Sequence, residues 1–129
     1  VARHLSQCPG VTNLRYPGLK TDEGHRISVR QMRNGFGGMM AFDVGKTQED
    51  AKRFISALKT IRHAVSLGST ESLICVPFLT TMLYMPPERR TSFGVRPNSV
   101  RLSVGVEPIG DLLADLDQAL SQMRGRKRP

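Results

Sequence analysis

Arg101 stands between Val100 and Leu102 in a segment that alternates apolar and polar residues up to Gly105. Side chains on a strand point to opposite faces in turn, so Val100, Leu102 and Val104 share one face while Arg101 and Ser103 share the other. A guanidinium on the second face of a central strand must be solvated, paired with an acid or bound to an anion. Held on a rigid strand, its planar fork suits bidentate binding of a carboxylate. An ion pair with Glu71 or Glu107 would satisfy it as well, and the residues alone leave the two readings level.

Other chemistry-bearing residues are weaker signals. Ser66-Leu67-Gly68-Ser69-Thr70-Glu71-Ser72 is a polar turn that could carry a nucleophile or bind an anion. No partnered His is recognisable nearby and the G-x-S-x-G elbow is absent, so a plain Ser- and Gly-rich loop is the better local reading. Gly35-Phe36-Gly37-Gly38 opens like a dinucleotide fingerprint, but Met40 replaces the third Gly. The run also leads into a strand instead of opening a helix, so the phosphate cradle fails. His4 and Cys8 sit four apart, with no second close pair to complete a tetrahedral metal site, and no metal is expected. Cys8 and Cys75 do not make a disulfide framework; reduced thiols and a cytoplasmic setting are expected.

The elements that must position these residues follow from periodicity and punctuation. Residues 11–16 read as a strand stopped by Pro17-Gly18. Residues 23–32 read as a short helix broken at Asn34-Gly35. Residues 36–44 form an apolar run expected to be a buried strand, in which Gly37 and Gly38 suggest close approach of another backbone. Thr47 is an N-cap with Glu49 and Asp50 in the first turn. Ala51, Phe54, Ile55, Leu58 and Ile61 follow at helical spacing, predicting a helix to about Arg62. Residues 65–67 are a short segment ended by Gly68, and residues 72–76 a strand ended by Pro77. Pro86-Pro87 begins a short helix closed at Phe93-Gly94. Residues 99–105 are the best-defined strand. Asp111 opens a last helix with the stripe Leu112, Leu113, Leu116, Ala119, Leu120 and Met123. Strands and helices are mixed without a repeated βαβ unit, which predicts an α+β domain with one largely antiparallel sheet covered by helices.

The 129 residues suffice for one domain with its own core. The first residue is Val1, which suggests a piece of a longer chain. No apolar stretch is long enough for a bilayer span, no signal peptide opens the chain, and no membrane role is expected. Nineteen Lys and Arg against eleven Asp and Glu give a net charge of +8. The basic residues are spread along the chain except for a tail over residues 124–129, and no aromatic is interleaved with a basic run. Nucleic acid is therefore not expected as a partner; a charge-driven binder would lose affinity steeply with salt.

Several motifs, taken in order, resemble one family. They are Tyr16-Pro17-Gly18-Leu19, Arg30-Gln31-Met32, Gly35 to Met39 with Phe42-Asp43, Ser66-Leu67-Gly68 with Glu71-Ser72-Leu73-Ile74, Glu88-Arg89, and Val100 through Glu107. Together they resemble the C-terminal domain of the Cys/Met-metabolism enzymes that depend on pyridoxal phosphate. That family includes cystathionine γ-synthases, cystathionine lyases, methionine γ-lyases and O-acetylhomoserine sulfhydrylases. The resemblance spans residues 11–120. It implies the small C-terminal domain of the aspartate-aminotransferase-type fold over residues 1–123. It also implies that Arg101 binds the α-carboxylate of a sulfur amino acid, with Ser66 and the Leu67 backbone fixing the substrate and cofactor side. Orientation of that kind is what such enzymes require of the protein, because the cofactor supplies the electron sink.

The sequence departs from the family at three places. Thr81-Met82 stands where a Thr-His pair is usual, and Gly68-Ser69 where a double Gly is usual. Val65 precedes Ser66 where the γ-synthase and γ-lyase branch commonly has Glu, whereas methionine γ-lyases and several relatives have Val, which points toward a lyase or sulfhydrylase branch over cystathionine formation. None of Lys20, Lys46, Lys52, Lys59 or Lys127 lies in the family's Ser-x-Thr-Lys setting. No catalytic or cofactor-binding residue is therefore expected within these 129 residues, and the resemblance implies an N-terminal pyridoxal phosphate domain as partner, a homotetrameric parent, and no activity of the chain alone. The alternative is a non-catalytic interaction module that keeps the fold.

Overall fold

A computed structural model of the chain describes the backbone of residues 1–124 and the side chains of residues 1–123. Apart from the Arg124 backbone, the basic tail expected at residues 124–129 lies outside the described residues. Among the described residues, five helices and five strands follow one another as α1 (Ala2–Leu5), β1 (Val11–Arg15), α2 (His25–Gln31), β2 (Met39–Val44), α3 (Gln48–Ala57), β3 (Arg62–His63), β4 (Leu73–Cys75), α4 (Pro87–Ser92), β5 (Ser99–Ser103) and α5 (Ile109–Arg124). A single turn of 3-10 helix covers Pro77–Leu79. None of the described helices is long and apolar enough to cross a membrane.

The strands form one sheet in the order β1-β2-β5-β4-β3. Three neighbouring pairs are antiparallel and the β3–β4 pair is parallel. The expected α+β character and largely antiparallel sheet are both present. β5 lies in the middle of the sheet, with Arg101 opposite Ala41 on one side and Cys75 on the other. The alternation read from the sequence sets its two faces. Val100 and Leu102 are fully buried, and they join Phe42 and Val44 of β2 in a core with Phe54, Leu112 and Leu116. Burying side chains of this size stabilises by roughly 1.5–3 kcal/mol each. The helices α3 and α5 supply that cover, and the Phe42 and Phe54 rings meet in a T-shaped contact with centroids 6.2 Å apart.

The close backbone approach expected at Gly37 and Gly38 is found at Gly38 only; a Cβ on Gly37 would meet nothing within 4 Å. A Cβ on Gly38 would lie 2.9 Å from the Val104 carbonyl oxygen, and the Val104 amide donates to the Gly38 carbonyl at 2.8 Å. Only glycine lets the two backbones approach this closely. The strand itself begins at Met39, three residues later than expected.

The start of α3 follows the sequence and its end does not. Thr47 accepts from the Asp50 amide, and the Asp50 carboxylate accepts from the Thr47 amide, which closes a capping box. The helix was expected to reach Arg62 but stops at Ala57, with Leu58 already extended. Asp115 of α5 accepts the amides of Lys59, Thr60 and Ile61 at 2.8, 2.9 and 2.9 Å. Three consecutive amides held by one carboxylate turn the chain out of the helix and into β3, a strand the sequence reading lacks. Ile61 remains buried without being helical. The helix α1 is likewise absent from that reading, and it caps the core with Ala2 and Leu5.

Candidate functional site

The face of β5 opposite the core carries Ser99, Arg101 and Ser103. Each is anchored to a different part of the chain. Ser99 donates to the buried carboxylate of Asp43, which also accepts from Asn13 at 2.6 Å and from Arg96 at 2.7 Å. Ser103 accepts the Gly68 amide at 2.9 Å. Arg101 is half-buried and reaches across β4 to the segment that follows β3. Its Nη2 donates to the carbonyl of Val65, and to that of Ser66 at 3.3 Å.

The structure therefore brings together the residues singled out from sequence. Arg101 touches the backbone of Ser66, and Leu67 follows in the same loop, which is exposed from Val65 to Glu71. Neither acid considered as a partner holds Arg101. Glu71 lies 3.5 Å from Arg62, and Glu107 is engaged by Ser72. Among the described residues no carboxylate is in ion-pair range of Arg101, and its Nε and Nη1 make no hydrogen bond. The hydroxyl of Ser66 also makes none among the described residues. A cation oriented by backbone carbonyls, with donors to spare, is equipped to take an external carboxylate.

A second set of contacts fixes the loop, and sequence reasoning missed most of it. Glu107 accepts the Ser72 amide at 2.5 Å and the Ser72 hydroxyl at 2.8 Å, and that hydroxyl accepts the Gly105 amide at 2.9 Å. The Val106 amide donates to the Thr70 carbonyl at 2.9 Å. A Cβ on Gly105 would overlap the Thr70 carbonyl, so the loop and the strand end close on each other only with glycine there. Partial burial pushes the Glu107 pKa up, but the hydrogen bonds from Ser72 and from its own amide prevail and hold it below the usual carboxylate range. In sequence, the alternation of Ser103 with Arg101 pointed here, and Glu107 stood only as a possible ion partner of Arg101.

After β4 the loop with Thr81-Met82 is tied by Arg90. Its Nε donates to the Met85 carbonyl at 2.7 Å and its Nη2 to the Leu83 carbonyl at 2.7 Å, while the guanidinium lies 4.4 Å from the centre of the Phe78 ring. Met82 is half-buried and Tyr84 is exposed.

On the helix-covered side of the sheet, the His4–Cys8 pair gains a neighbour from elsewhere in the chain. α5 brings Asp117 beside it, with His4 Nε2 donating to Asp117 Oδ1 at 2.6 Å and Cys8 Sγ 3.9 Å from the same oxygen. A partner more than a hundred positions away has no signature in local spacing.

The sequence profile of the Cys/Met metabolism PLP-dependent enzymes matches residues 1–121. The chain belongs to that family. Cystathionine beta-lyase of Lactococcus lactis subsp. cremoris is 43% identical over 123 residues, which cover 95% of this chain and 32% of that protein. Cystathionine gamma-lyase of Bacillus subtilis (strain 168) is 42% identical over the same length and coverage. The crystal structure of cystathionine gamma-lyase from Lactobacillus plantarum, complexed with L-serine, superposes with a TM-score of 0.87 at 37% identity, over 95% of this chain and 32% of that one. The chain thus spans about a third of the length of these relatives. Pyridoxal phosphate is the family's cofactor. Lys20, Lys46, Lys52 and Lys59 are all exposed, and none lies in the segments that frame Arg101. The described residues therefore do not fit a Schiff-base site, and no step through the cofactor is drawn from them.

Proposed function

We propose that residues 1–123 are the C-terminal substrate-binding domain of a pyridoxal phosphate-dependent sulfur amino-acid enzyme. The observation that carries this reading is Arg101, a strand-held cation that touches backbone carbonyls and no described carboxylate. In this role Arg101 clamps the α-carboxylate of the amino acid, and Ser66 with the Leu67 backbone lines the approach. The clamp fixes which substrate bond faces the reacting centre, and an N-terminal domain of the same enzyme holds the cofactor. Val65 beside Ser66 favours a C–S lyase or a sulfhydrylase within the family. The parent assembles as a homotetramer in the cytoplasm.

The test is Arg101→Ala in the enzyme that contains this domain. Loss of charge-assisted hydrogen bonds worth about 1.5–3 kcal/mol raises KM roughly tenfold to a hundredfold. Unchanged KM would refute the clamp. The 129-residue chain, supplied with pyridoxal phosphate and cystathionine, turns nothing over in this reading. Measurable product would show that the domain is not incomplete.

A further inference from the structure

We propose that His4, Cys8 and Asp117 form a binding site for a zinc-like divalent cation, on the opposite side of the sheet from Arg101. His4 and Cys8 are four residues apart across the turn that ends α1, and the Cys8 thiol donates to the His4 carbonyl at 3.3 Å. Asp117 projects to them from the facing helix α5. The three ligand atoms lie within 4.8 Å of one another. In a tetrahedral zinc site, bonds of about 2.0–2.3 Å put neighbouring ligand atoms about 3.3–3.6 Å apart. The His4–Asp117 separation of 2.6 Å is shorter than such an edge, and the Cys8–Asp117 separation of 3.9 Å is longer. Small rotations of these side chains reconcile the two. His4 and Asp117 have that freedom, with side chains 31% and 53% exposed.

The donor set also selects the ion. Imidazole nitrogen, thiolate and carboxylate together suit zinc and cobalt(II), and disfavour magnesium and calcium, which take oxygen ligands. On binding, the Cys8 thiol releases its proton to solvent and the sulfur bonds the metal as thiolate. His4 coordinates through the neutral Nε2 lone pair, giving up the hydrogen bond to Asp117. Thiolate and carboxylate balance the two positive charges. The trio borders a surface cleft of about 430 Å³, which leaves room for water as the fourth ligand. The bound ion ties α1 to α5 and acts as a structural clip.

The experiment is a cobalt(II) titration of the 129-residue chain, followed by zinc. One equivalent of cobalt produces a thiolate-to-cobalt absorption band that zinc abolishes, and zinc raises the Tm. Cys8→Ser removes the band. His4→Ala and Asp117→Asn each weaken binding by at least about tenfold. Cys75→Ser retains the band. A band or stoichiometry identical in the chain and in Cys8→Ser overturns the site. A readout that needs no variant is alkylation of Cys8, since Cys75 is fully buried. Zinc slows that reaction if the site exists, and an unchanged rate overturns it.

Discussion

Arg101 shows how one residue acquires a function from its neighbours. Its own chemistry is generic, and what distinguishes it is that Val65 and Ser66 offer carbonyl oxygens where an acid would have neutralised it. Arg101→Lys in the parent enzyme is expected to recover only part of the loss seen with Ala, because an ammonium keeps the charge but not the planar fork. Comparing KM for the two variants checks this. Ser103→Ala removes the acceptor of the Gly68 amide. It should raise KM by about fivefold, the equivalent of one hydrogen bond near 1 kcal/mol, while leaving the Arg101 charge intact. A KM equal to that of the unmodified enzyme would mean the loop needs no anchor at Ser103. At this scale Arg101 and Ser103 were both legible in the strand alternation. Glu107 was legible only as a possible ion partner of Arg101, and its grip on Ser72 depends on a chain crossing that spacing does not encode.

Among the elements, α3 and its exit separate what local sequence encodes from what it does not. Thr47 and Asp50 specify the start by contacts within one turn. Thr47→Ala is expected to cost about 1 kcal/mol, read as a shift in the denaturant midpoint. The end is specified by Asp115, whose carboxylate is buried against the amides of residues 59–61. The apolar spacing of Leu58 and Ile61 continues past Ala57, so the periodicity predicts a longer helix than exists. Asp115→Ala should destabilise the fold by roughly 2–4 kcal/mol, because three amides lose a charged acceptor together. A change within a few tenths of a kcal/mol would show that the exit of α3 is held by packing instead. The strand β3 and the parallel pairing with β4 follow from this exit.

At the scale of the whole molecule, three carboxylates among the described residues are held below their ordinary range. Asp50 is lowered chiefly by the Lys46 amide, against partial burial and with help from Thr47 and Arg53. For Glu107 and Asp115 burial is the largest influence and raises the pKa, but the hydrogen bonds they accept outweigh it. The unfolded chain therefore binds more protons than the native one between the depressed folded values and the ordinary values of 3.8 for Asp and 4.5 for Glu. Stability from these groups is fully present above the ordinary values and is lost as pH falls through the folded ones. Acid titration of the folding midpoint should show this, and Asp115→Asn should flatten the profile. An unaltered profile would remove Asp115 from the set.

Sequence by itself determined the mixed sheet, the two faces of β5, the capping of α3, the close approach at Gly38 and membership of a family whose motifs occur in order. Those features rest on alternation, turn chemistry and contacts a few residues apart, which a linear string records. Tertiary structure alone decided that Arg101 meets Val65 and Ser66 instead of an acid, that Asp115 ends α3, and that Asp117 joins His4 and Cys8. Each of these joins groups separated by tens of residues or more. Such pairs are selected by how the helices and strands pack, since only packing lowers the free energy of bringing them together.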